Sequence, residues 1–251
     1  MKFRREYRAS TAAATKWHIS LCGCAHHIIH GTVTECCTIC AVELTAANRQ
    51  RRPDMYYEAS DFVETADNET LELIARTREL TREYYFADYR DTEKRAAILQ
   101  ELLGGIGENV AIDTPFHCDH GNNIFLGNDV IIGINCTFVD NAEIHIGNKV
   151  MIASNVQFYT SSHPLLPQER LIPDWKEQQT PFFRTYARPI EVKDNAWIGG
   201  GSILLPGVTV GENSVIGAGS VVNRSIPANC VAAGNPCRVI RCFDPNEKKS
   251  Q

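Results

Sequence analysis

Aliphatic residues recur at an interval of six along the second half of the chain. The longest uninterrupted run consists of Val192, Ile198, Leu204, Val210, Ile216 and Val222. An earlier run keeps the interval except for one slip of two residues: Leu126, Ile132, Phe138, Ile146, Ile152 and Phe158. An amphipathic helix would favour spacings of three and four, and a half-buried strand would alternate every two residues. The interval of six instead predicts a hexapeptide solenoid, in which each segment is a short strand followed by a turn.

A small residue follows many of these aliphatic positions. The glycines concerned are Gly127, Gly133, Gly147, Gly199, Gly211 and Gly217. We expect one side chain per segment to point inward and the glycine to let the chain bend tightly. Three segments would form one triangular coil, and successive coils would stack at about 4.8 Å. A β-sandwich of short strands is the alternative, but sandwiches keep no fixed six-residue register.

A different pattern begins at Met55. Apolar residues recur there at helical spacings: Leu71, Leu73, Ile74, Leu80, Ile98, Leu99, Leu102 and Leu103. This spacing predicts at least two helices, the second over 93–103 with Thr92 as its N-cap. Gly104 and Gly105 would end that helix. Such a helical segment would cover the unpaired strand edges at one end of the solenoid.

These patterns divide the chain into four parts. We expect an N-terminal extension over 1–54, a helical cap over 55–110, a β-helical domain over 111–243 and a tail over 244–251. Within the β-helical domain the repeat stops over 161–189, which is rich in Pro, aromatic and charged residues. We predict that this segment is a functional loop on a rigid scaffold.

The extension is rich in Cys and His, but their spacing matches no standard zinc site. We consider a zinc module, an organellar targeting peptide and a disordered extension, and we favour the last. Deletion of residues 1–50 is therefore expected to leave folding and activity intact.

Composition narrows the classes of partner. The 251-residue chain carries 25 Lys and Arg against 30 Asp and Glu, a formal net charge of −5. Residues 1–54 hold eight Lys and Arg against four Asp and Glu, so the rest of the chain is clearly acidic. An acidic surface does not suit nucleic acid, and no stretch approaches the ~18 apolar residues of a membrane span. We expect a cytoplasmic protein with no nucleic-acid or membrane partner.

The chain has ten cysteines, and in a chain of this size without an export signal we expect reduced thiols. Five of them lie outside the extension and are expected as small core or surface residues: Cys118, Cys136, Cys230, Cys237 and Cys242.

Three short sequences flank or interrupt the repeat. They are "FHCDHGNNIFLGN" near its start, "SSHPL" at its interruption and "AAGNPCRVIR" after it. Over roughly residues 55 to 243 the chain resembles the maltose and galactoside O-acetyltransferases, a family of hexapeptide acyltransferases. The resemblance implies a left-handed parallel β-helix, assembled as a homotrimer with active sites between subunits. It also implies acetyl-CoA as the donor and a sugar hydroxyl as the acceptor, with no metal.

Acyl transfer to a hydroxyl requires a base, and His suits that task near neutral pH. Counting by six from Phe158 places His163 one residue before an inward position, so its side chain is expected to point outward. The same count places His145 eighteen residues earlier, one full coil below and also outward. The sequence "SSHP" resembles the family's catalytic His-Pro motif, which identifies His163 as the base, whereas His145 matches no functional position.

The resemblance also assigns a donor site. The positions that match the family's contacts with CoA are Gly200, Ala218, Asn223, Arg224, Arg238 and Arg241. The family usually has a Thr-Lys pair at Asn223 and Arg224 and often Ser at Gly200. Arg in place of Lys preserves phosphate binding.

On the acceptor side, Asp119 and Asn141 match family positions, and Asp140 lies beside the second. We expect all three to contact the sugar. Gly133 departs from the family, which often has Asn there as a donor to the transition state, and such donors contribute roughly 3 to 4 kcal/mol. Asn135, two residues on, is the candidate to replace it.

Three other functions stay open. A zinc hydratase like the γ-class carbonic anhydrases would need three converging His, and the regular repeat holds only His145 and His163. A non-catalytic assembly module would fit the missing amide at Gly133. An acetyltransferase acting on an antibiotic or amino-acid hydroxyl would use the same donor site.

Overall fold

The computed structural model describes residues 58–63, 65 and 67–244. The expectations for residues 1–54 and for the tail beyond residue 244 lie outside the described residues. The described helices are a 3-10 turn (Ala59–Asp61), α1 (Asn68–Phe86), α2 (Thr92–Leu102), α3 (Pro167–Arg170) and α4 (Trp175–Gln178). The described strands are β1 (Phe62–Val63), β2 (Gly105–Ile106), β3 (Ala111–Ile112), β4 (Phe116–Cys118), β5 (Ile124–Leu126), β6 (Ile131–Ile132), β7 (Cys136–Val139), β8 (Ile144–Ile146), β9 (Met151–Ile152), β10 (Gln157–Tyr159), β11 (Ser161–Ser162), β12 (Thr185–Ala187), β13 (Ile190–Val192), β14 (Trp197–Ile198), β15 (Ile203–Leu204), β16 (Thr209–Val210), β17 (Val215–Ile216), β18 (Val221–Val222), β19 (Cys230–Ala233) and β20 (Arg238–Cys242).

Parallel strands from successive coils form three long faces. The first face is β2-β5-β8-β13-β16, the second is β3-β6-β9-β14-β17-β19 and the third is β4-β7-β10-β15-β18. β20 adds to the second face as an antiparallel edge strand. The chain visits the faces in this order, so every third strand pairs with the one below it. The predicted hexapeptide solenoid is confirmed.

The inward residues of these strands form a continuous apolar column. The largest fully buried side chains include Phe138, Phe158, Ile132, Ile152 and Ile198. The rings of Phe138 and Phe158 stack with centroids 4.4 Å apart, because they occupy the same position in successive coils. All six aliphatic positions of the uninterrupted sequence run are buried.

The coils do not all have the same length. Partners on the first face lie 20 residues apart from Leu126 to Ile146, but 18 residues apart from Val192 to Val210. The two extra residues of the longer coils lie where the chain turns from the third face to the first. The predicted slip of two is therefore a property of that turn, and it recurs in each early coil.

The tight turns are made by residues other than the predicted glycines. Left-handed backbone occurs two residues after the small residue in several coils, for example at Asp129 and Asn135 with φ of 58° and 59°. Asn and Asp tolerate this conformation better than other non-glycine residues. Gly211 serves a different purpose, because a Cβ there would lie 2.3 Å from the backbone nitrogen of Ala228 in the next coil. The glycines thus allow coils to approach rather than the chain to bend.

The helical cap covers the first coil. Leu80, Leu99 and Leu102 are buried against it, and the Tyr84 hydroxyl donates to the Ile112 carbonyl over 2.7 Å. The two predicted helices are confirmed, and α2 begins and ends within one residue of the predicted bounds.

The predicted ends of α2 need correction. Asp91 is the N-cap in place of Thr92, because its carboxylate accepts from the backbone N–H of Lys94 over 3.1 Å. At the other end Leu103 is extended, and Gly104 and Gly105 lead into β2 rather than forming a left-handed cap.

Candidate active site

His163 lies at the start of the longest interruption of the solenoid. The chain leaves the third face after β10 and returns to the first face at β13. At its base β11 pairs with β12 in antiparallel register, and β1 pairs with the other edge of β12. His163 follows β11 directly and is exposed, whereas Pro164 is buried as the six-residue count requires. The predicted loop over 161–189 therefore begins and ends in paired strands, and His163 lies directly after the first of them.

Two contacts fix the imidazole of His163. Its Nδ1 lies 2.9 Å from the Arg184 carbonyl oxygen, and the Phe183 ring packs edge-on with centroids 5.1 Å apart. Because a carbonyl oxygen only accepts, Nδ1 must carry the proton, and in the neutral ring Nε2 then has the free lone pair. The arrangement gives a fixed imidazole whose basic nitrogen is Nε2.

The loop closes on itself through two arginines. Arg170 Nη1 donates to the Pro164 carbonyl over 3.1 Å, and Arg184 Nη1 donates to the Glu169 carbonyl over 2.8 Å. The backbone N–H of Arg184 also donates to the Arg170 carbonyl over 2.8 Å. These bonds hold Arg184, and through its carbonyl they hold His163.

The turn from the third face to the first, called the third corner below, comprises 119–123, 140–143 and the loop. Asp119 lies in the lowest of these turns and accepts from Arg78 Nη2 over 3.0 Å. Asn141 lies one coil higher and is half-buried. His163 lies one coil higher again. The third corner therefore brings three predicted site residues onto one edge of the solenoid.

Asp140 also lies in the third corner, but direct contact with an acceptor does not fit its geometry. The residue is fully buried, and its carboxylate accepts from the backbone N–H groups of Asp119, His120 and Gly121 over 2.9, 2.9 and 2.7 Å. Burial raises the pKa of the carboxyl, against the lowering effect of these hydrogen bonds. Asp140 therefore shapes the turn that carries Asp119, and the expectation of a sugar ligand is corrected.

Another group of predicted residues lies on the turn from the second face to the third, called the second corner below. It contains Gly133, Asn135, Gly200 and Ala218. Asn135 is exposed, and its Nδ2 donates to Asn155 Oδ1 in the coil above over 2.7 Å. A Cβ at Gly133 would lie 2.8 Å from the Ser154 backbone nitrogen, so the packing of the next coil leaves little room for a side chain there. Within one chain the third face separates these residues from His163.

The remaining predicted donor residues meet at the upper end of the solenoid. Arg238 and Arg241 are exposed on β20, and Arg238 Nη1 donates to Asn223 Oδ1 over 3.2 Å. Asn223 and Arg224 follow β18 directly and are exposed. Four of the six predicted donor residues thus share one end of the fold.

A disulfide joins Cys230 and Cys242. The antiparallel register of β19 and β20 places these residues opposite each other, with Cα atoms 4.0 Å apart. The expectation of free thiols is therefore wrong for this pair. Cys118, Cys136 and Cys237 are free and buried.

Comparisons with known proteins show which proteins this chain is similar to. The family model for the bacterial transferase hexapeptide, six repeats, matches residues 189–224. The galactoside O-acetyltransferase of Escherichia coli K12 is 38% identical over 173 residues, which cover 69% of this chain and 80% of that protein. The chain belongs to this family of hexapeptide acetyltransferases.

Solved members of the acetyltransferase family share the fold. A maltose O-acetyltransferase from Clostridium difficile 630 is 38% identical with a TM-score of 0.66, and the match covers 73% of this chain and 92% of that one. A galactoside acetyltransferase in complex with coenzyme A is 36% identical with a TM-score of 0.64, and the match covers 71% of this chain and 84% of that one.

A zinc hydratase would require three metal ligands that converge on one point. In the part of the chain that the structure describes, no three His, Cys, Asp or Glu side chains converge on a common point. His145 lies on the first face, where its partners are Phe125 and Glu191, and its Nε2 lies 2.8 Å from Glu143 Oε2. The prediction that His145 lies one coil below His163 is wrong, because a step of 18 residues is not one coil there.

Among residues 58–63, 65 and 67–244, no helix has the length and apolar character that crossing a membrane requires.

Three residues important to the geometry of the candidate site could not be identified from the sequence. Arg184 and Phe183 orient His163 from the far end of the loop, and Arg78 pairs with Asp119 from α1. Pairing across a loop leaves no trace in a periodic pattern, and Arg78 looks like any other charged helix residue.

Proposed function

We propose that this acetyltransferase moves the acetyl group of acetyl-CoA to a hydroxyl of a sugar such as maltose, glucose or a galactoside, with His163 as general base. The observation that carries the proposal is the contact of His163 Nδ1 with the Arg184 carbonyl oxygen over 2.9 Å. This contact fixes the tautomer in which Nε2 is free to take a proton. The homology to galactoside and maltose acetyltransferases supports a sugar as the acceptor.

The proposed reaction is a direct attack. The acceptor oxygen bonds to the thioester carbonyl carbon while His163 Nε2 removes the hydroxyl proton. The tetrahedral intermediate then collapses, the carbon–sulfur bond breaks, and the CoA thiolate takes the proton back from the imidazolium. The base contributes in the transition state, because it becomes important only as attack occurs.

The donor groove would combine small residues with cations. Gly200 and Ala218 leave space for the thin pantetheine arm, while Arg224, Arg238 and Arg241 supply charge for the phosphates. The complex of the related galactoside acetyltransferase with coenzyme A supports this donor. Asn223 would help to hold Arg238 in place through their hydrogen bond.

We further propose a homotrimer with the active site between subunits. Within one chain the second and third corners lie on opposite edges of the third face. A neighbouring subunit is needed to bring Gly200 and Ala218 of one chain to His163 of another. The second face also presents a ladder of outward apolar residues, with Ile131, Met151 and Trp197 in register and about half-exposed. A subunit contact would cover such a ladder.

The test is His163→Ala in a thiol-release assay with acetyl-CoA. We expect the turnover number to fall by roughly 100- to 10,000-fold, the range for a lost general base, while acetyl-CoA still binds. The acceptor panel pairs maltose, glucose and a methyl galactoside with chloramphenicol and L-serine.

His145→Ala is the matched control, because His145 is also exposed to solvent but lies on the first face beside Glu143. Its turnover should stay close to wild type. Near-normal turnover in His163→Ala would contradict the assignment of the base. Acetylation of chloramphenicol or serine in preference to every sugar would contradict the acceptor class.

A further inference from the structure

A cavity of about 370 Å³ lies between α1 and the lowest coil of the third face. Its lining includes Arg78, Thr81, Arg82, Tyr85, Phe116 and His117. Tyr85 and Phe116 give the cavity an aromatic wall, whereas the two arginines and His117 give it polar and basic groups. None of its lining residues is acidic, although the described part of the chain is rich in Asp and Glu.

The charge of Arg82 is not neutralised by its neighbours. The nearby acids of α1 are engaged elsewhere, since Glu79 pairs with Arg76 and Glu83 pairs with Lys94. Asp119 forms an ion pair with Arg78. Among the residues that the structure describes, Arg82 has no hydrogen-bond or ion-pair partner. A guanidinium with free donors in an acid-free cavity favours a carboxylate or a phosphate.

The cavity also adjoins the edge that carries His163. Arg78 links the cavity wall to the third corner, because its Nη2 donates to Asp119 Oδ1 and its Nη1 donates to the Cys118 carbonyl. From Asp119 the edge rises through Asn141 to His163, one coil at a time. At a strand spacing of about 4.8 Å, two coils amount to about 10 Å. A substrate bound at His163 would therefore lie along the edge that this cavity adjoins.

We propose that this cavity binds an anionic group of the acceptor, a carboxylate or a phosphate, through Arg82. The inference rests on the proposed function and narrows its substrate class to acidic glycosides. Arg82 donates to the anion, and the aromatic wall packs against the apolar side of the sugar ring. Arg82 is thus a specificity-determining residue, whereas His163 does the chemistry.

The test compares pairs of acceptors that differ in one anionic group at C6. Methyl β-D-glucuronide is paired with methyl β-D-glucoside for the carboxylate, and glucose 6-phosphate with glucose for the phosphate. The wild-type kcat/KM should favour the charged member of at least one pair by about tenfold or more, as expected for a charge-assisted hydrogen bond. The pair that shows the preference identifies the anion. In Arg82→Gln the two members should come within about twofold of each other.

Arg90→Gln is the control, because Arg90 is highly exposed, pairs with Asp88 and lies outside the cavity. It should keep the wild-type preference. Equal kcat/KM for charged and neutral acceptors in the wild type, or a preference that survives in Arg82→Gln, would overturn the proposal.

Calorimetric binding of methyl β-D-glucuronide and glucose 6-phosphate separates this proposal from the proposed function. Binding of either that is lost in Arg82→Gln, without acetylation of any sugar, would support the anion site and refute the sugar acetyltransferase. Acetylation of neutral sugars without binding of either anion would do the reverse.

Discussion

Asp140 shows how a single buried carboxylate can fix the backbone of a candidate site. Its two carboxylate oxygens accept three consecutive backbone N–H groups, from Asp119 to Gly121. Buried N–H groups without acceptors are costly, so this carboxylate determines the path of the turn. This turn also positions Asp119 for its ion pair with Arg78. Because Asp140 lies beside a family acceptor position, the sequence suggests that it binds the sugar. Its hydrogen bonds instead show that it supports the backbone of the turn.

Asp140→Asn should therefore lower the thermal stability of the protein. The amide nitrogen would replace one carboxylate oxygen and face a backbone N–H, leaving a buried donor unsatisfied at a cost of about 1–3 kcal/mol. Differential scanning calorimetry measures the effect as a fall in Tm. Asp129→Asn is the control, because Asp129 occupies a left-handed corner position of the kind that Asn fills elsewhere. Equal Tm values for the two variants would contradict the role of Asp140.

At the scale of elements, the regular part of the fold could be predicted because one inward residue per strand is enough to mark it. Val192, Ile198 and Leu204 are buried as the interval of six requires. The interruption of that interval marked the loop equally well. Extra residues in a corner are harder to interpret. They lengthen the coil, but the interval of six from the first face to the second and from the second to the third stays the same. This is why counting by six places His145 directly below His163, although His145 lies on the first face.

Elements that leave the repeat could not be predicted in the same way. β20 turns back antiparallel on β19, and the six-residue pattern carries no information about that reversal. The pairing of Cys230 with Cys242 depends on this reversal. The same holds for the His163 site, where the residue could be chosen by resemblance but its contact with Arg184 depends on the pairing of β11 with β12.

The disulfide between Cys230 and Cys242 leads to a prediction about the proposed donor groove. β20 carries Arg238 and Arg241 and is exposed along its length, so loss of the link should leave both side chains less ordered before binding. Cys242→Ser should weaken acetyl-CoA binding by about three- to tenfold, because ordering the strand then opposes binding. Calorimetry measures the affinity, and a non-reducing peptide map verifies the link.

Reductant supplies the control for that prediction. Dithiothreitol should weaken binding to the wild type but add nothing in Cys242→Ser, where the link is already absent. Unchanged affinity in both cases would show that β20 holds its position without the disulfide.

At the scale of the whole molecule, the outward residues distinguish the second face from the first. The inward residues are apolar everywhere, but on the second face Ile131, Met151 and Trp197 also direct apolar side chains outward in adjacent coils. On the first face the corresponding outward positions hold Phe125, His145 and Glu191. A face that is apolar on both sides is suited to burial against another subunit.

Trp197→Lys should therefore break the proposed trimer. Around a threefold axis the substitution would place three ammonium groups at or near apolar contacts, where charges lose hydration without gaining partners. Light scattering should show the mass falling from three chains to one. Circular dichroism should keep its β signal, because the Trp197 side chain is about half-exposed and the inward Ile198 is unchanged. Acetyl transfer should fall with the loss of the trimer, since the two corners would no longer meet.

Leu71→Lys is the control, because Leu71 is similarly exposed but lies on α1, away from the second face. It should stay trimeric and active. A wild-type protein that is fully active as a monomer would refute the site between subunits, since one chain holds Gly200 and His163 on opposite edges of its third face. A Trp197→Lys protein that stays trimeric would instead locate the subunit contact on another face. The distinction matters because only the first result removes the need for a second chain in catalysis.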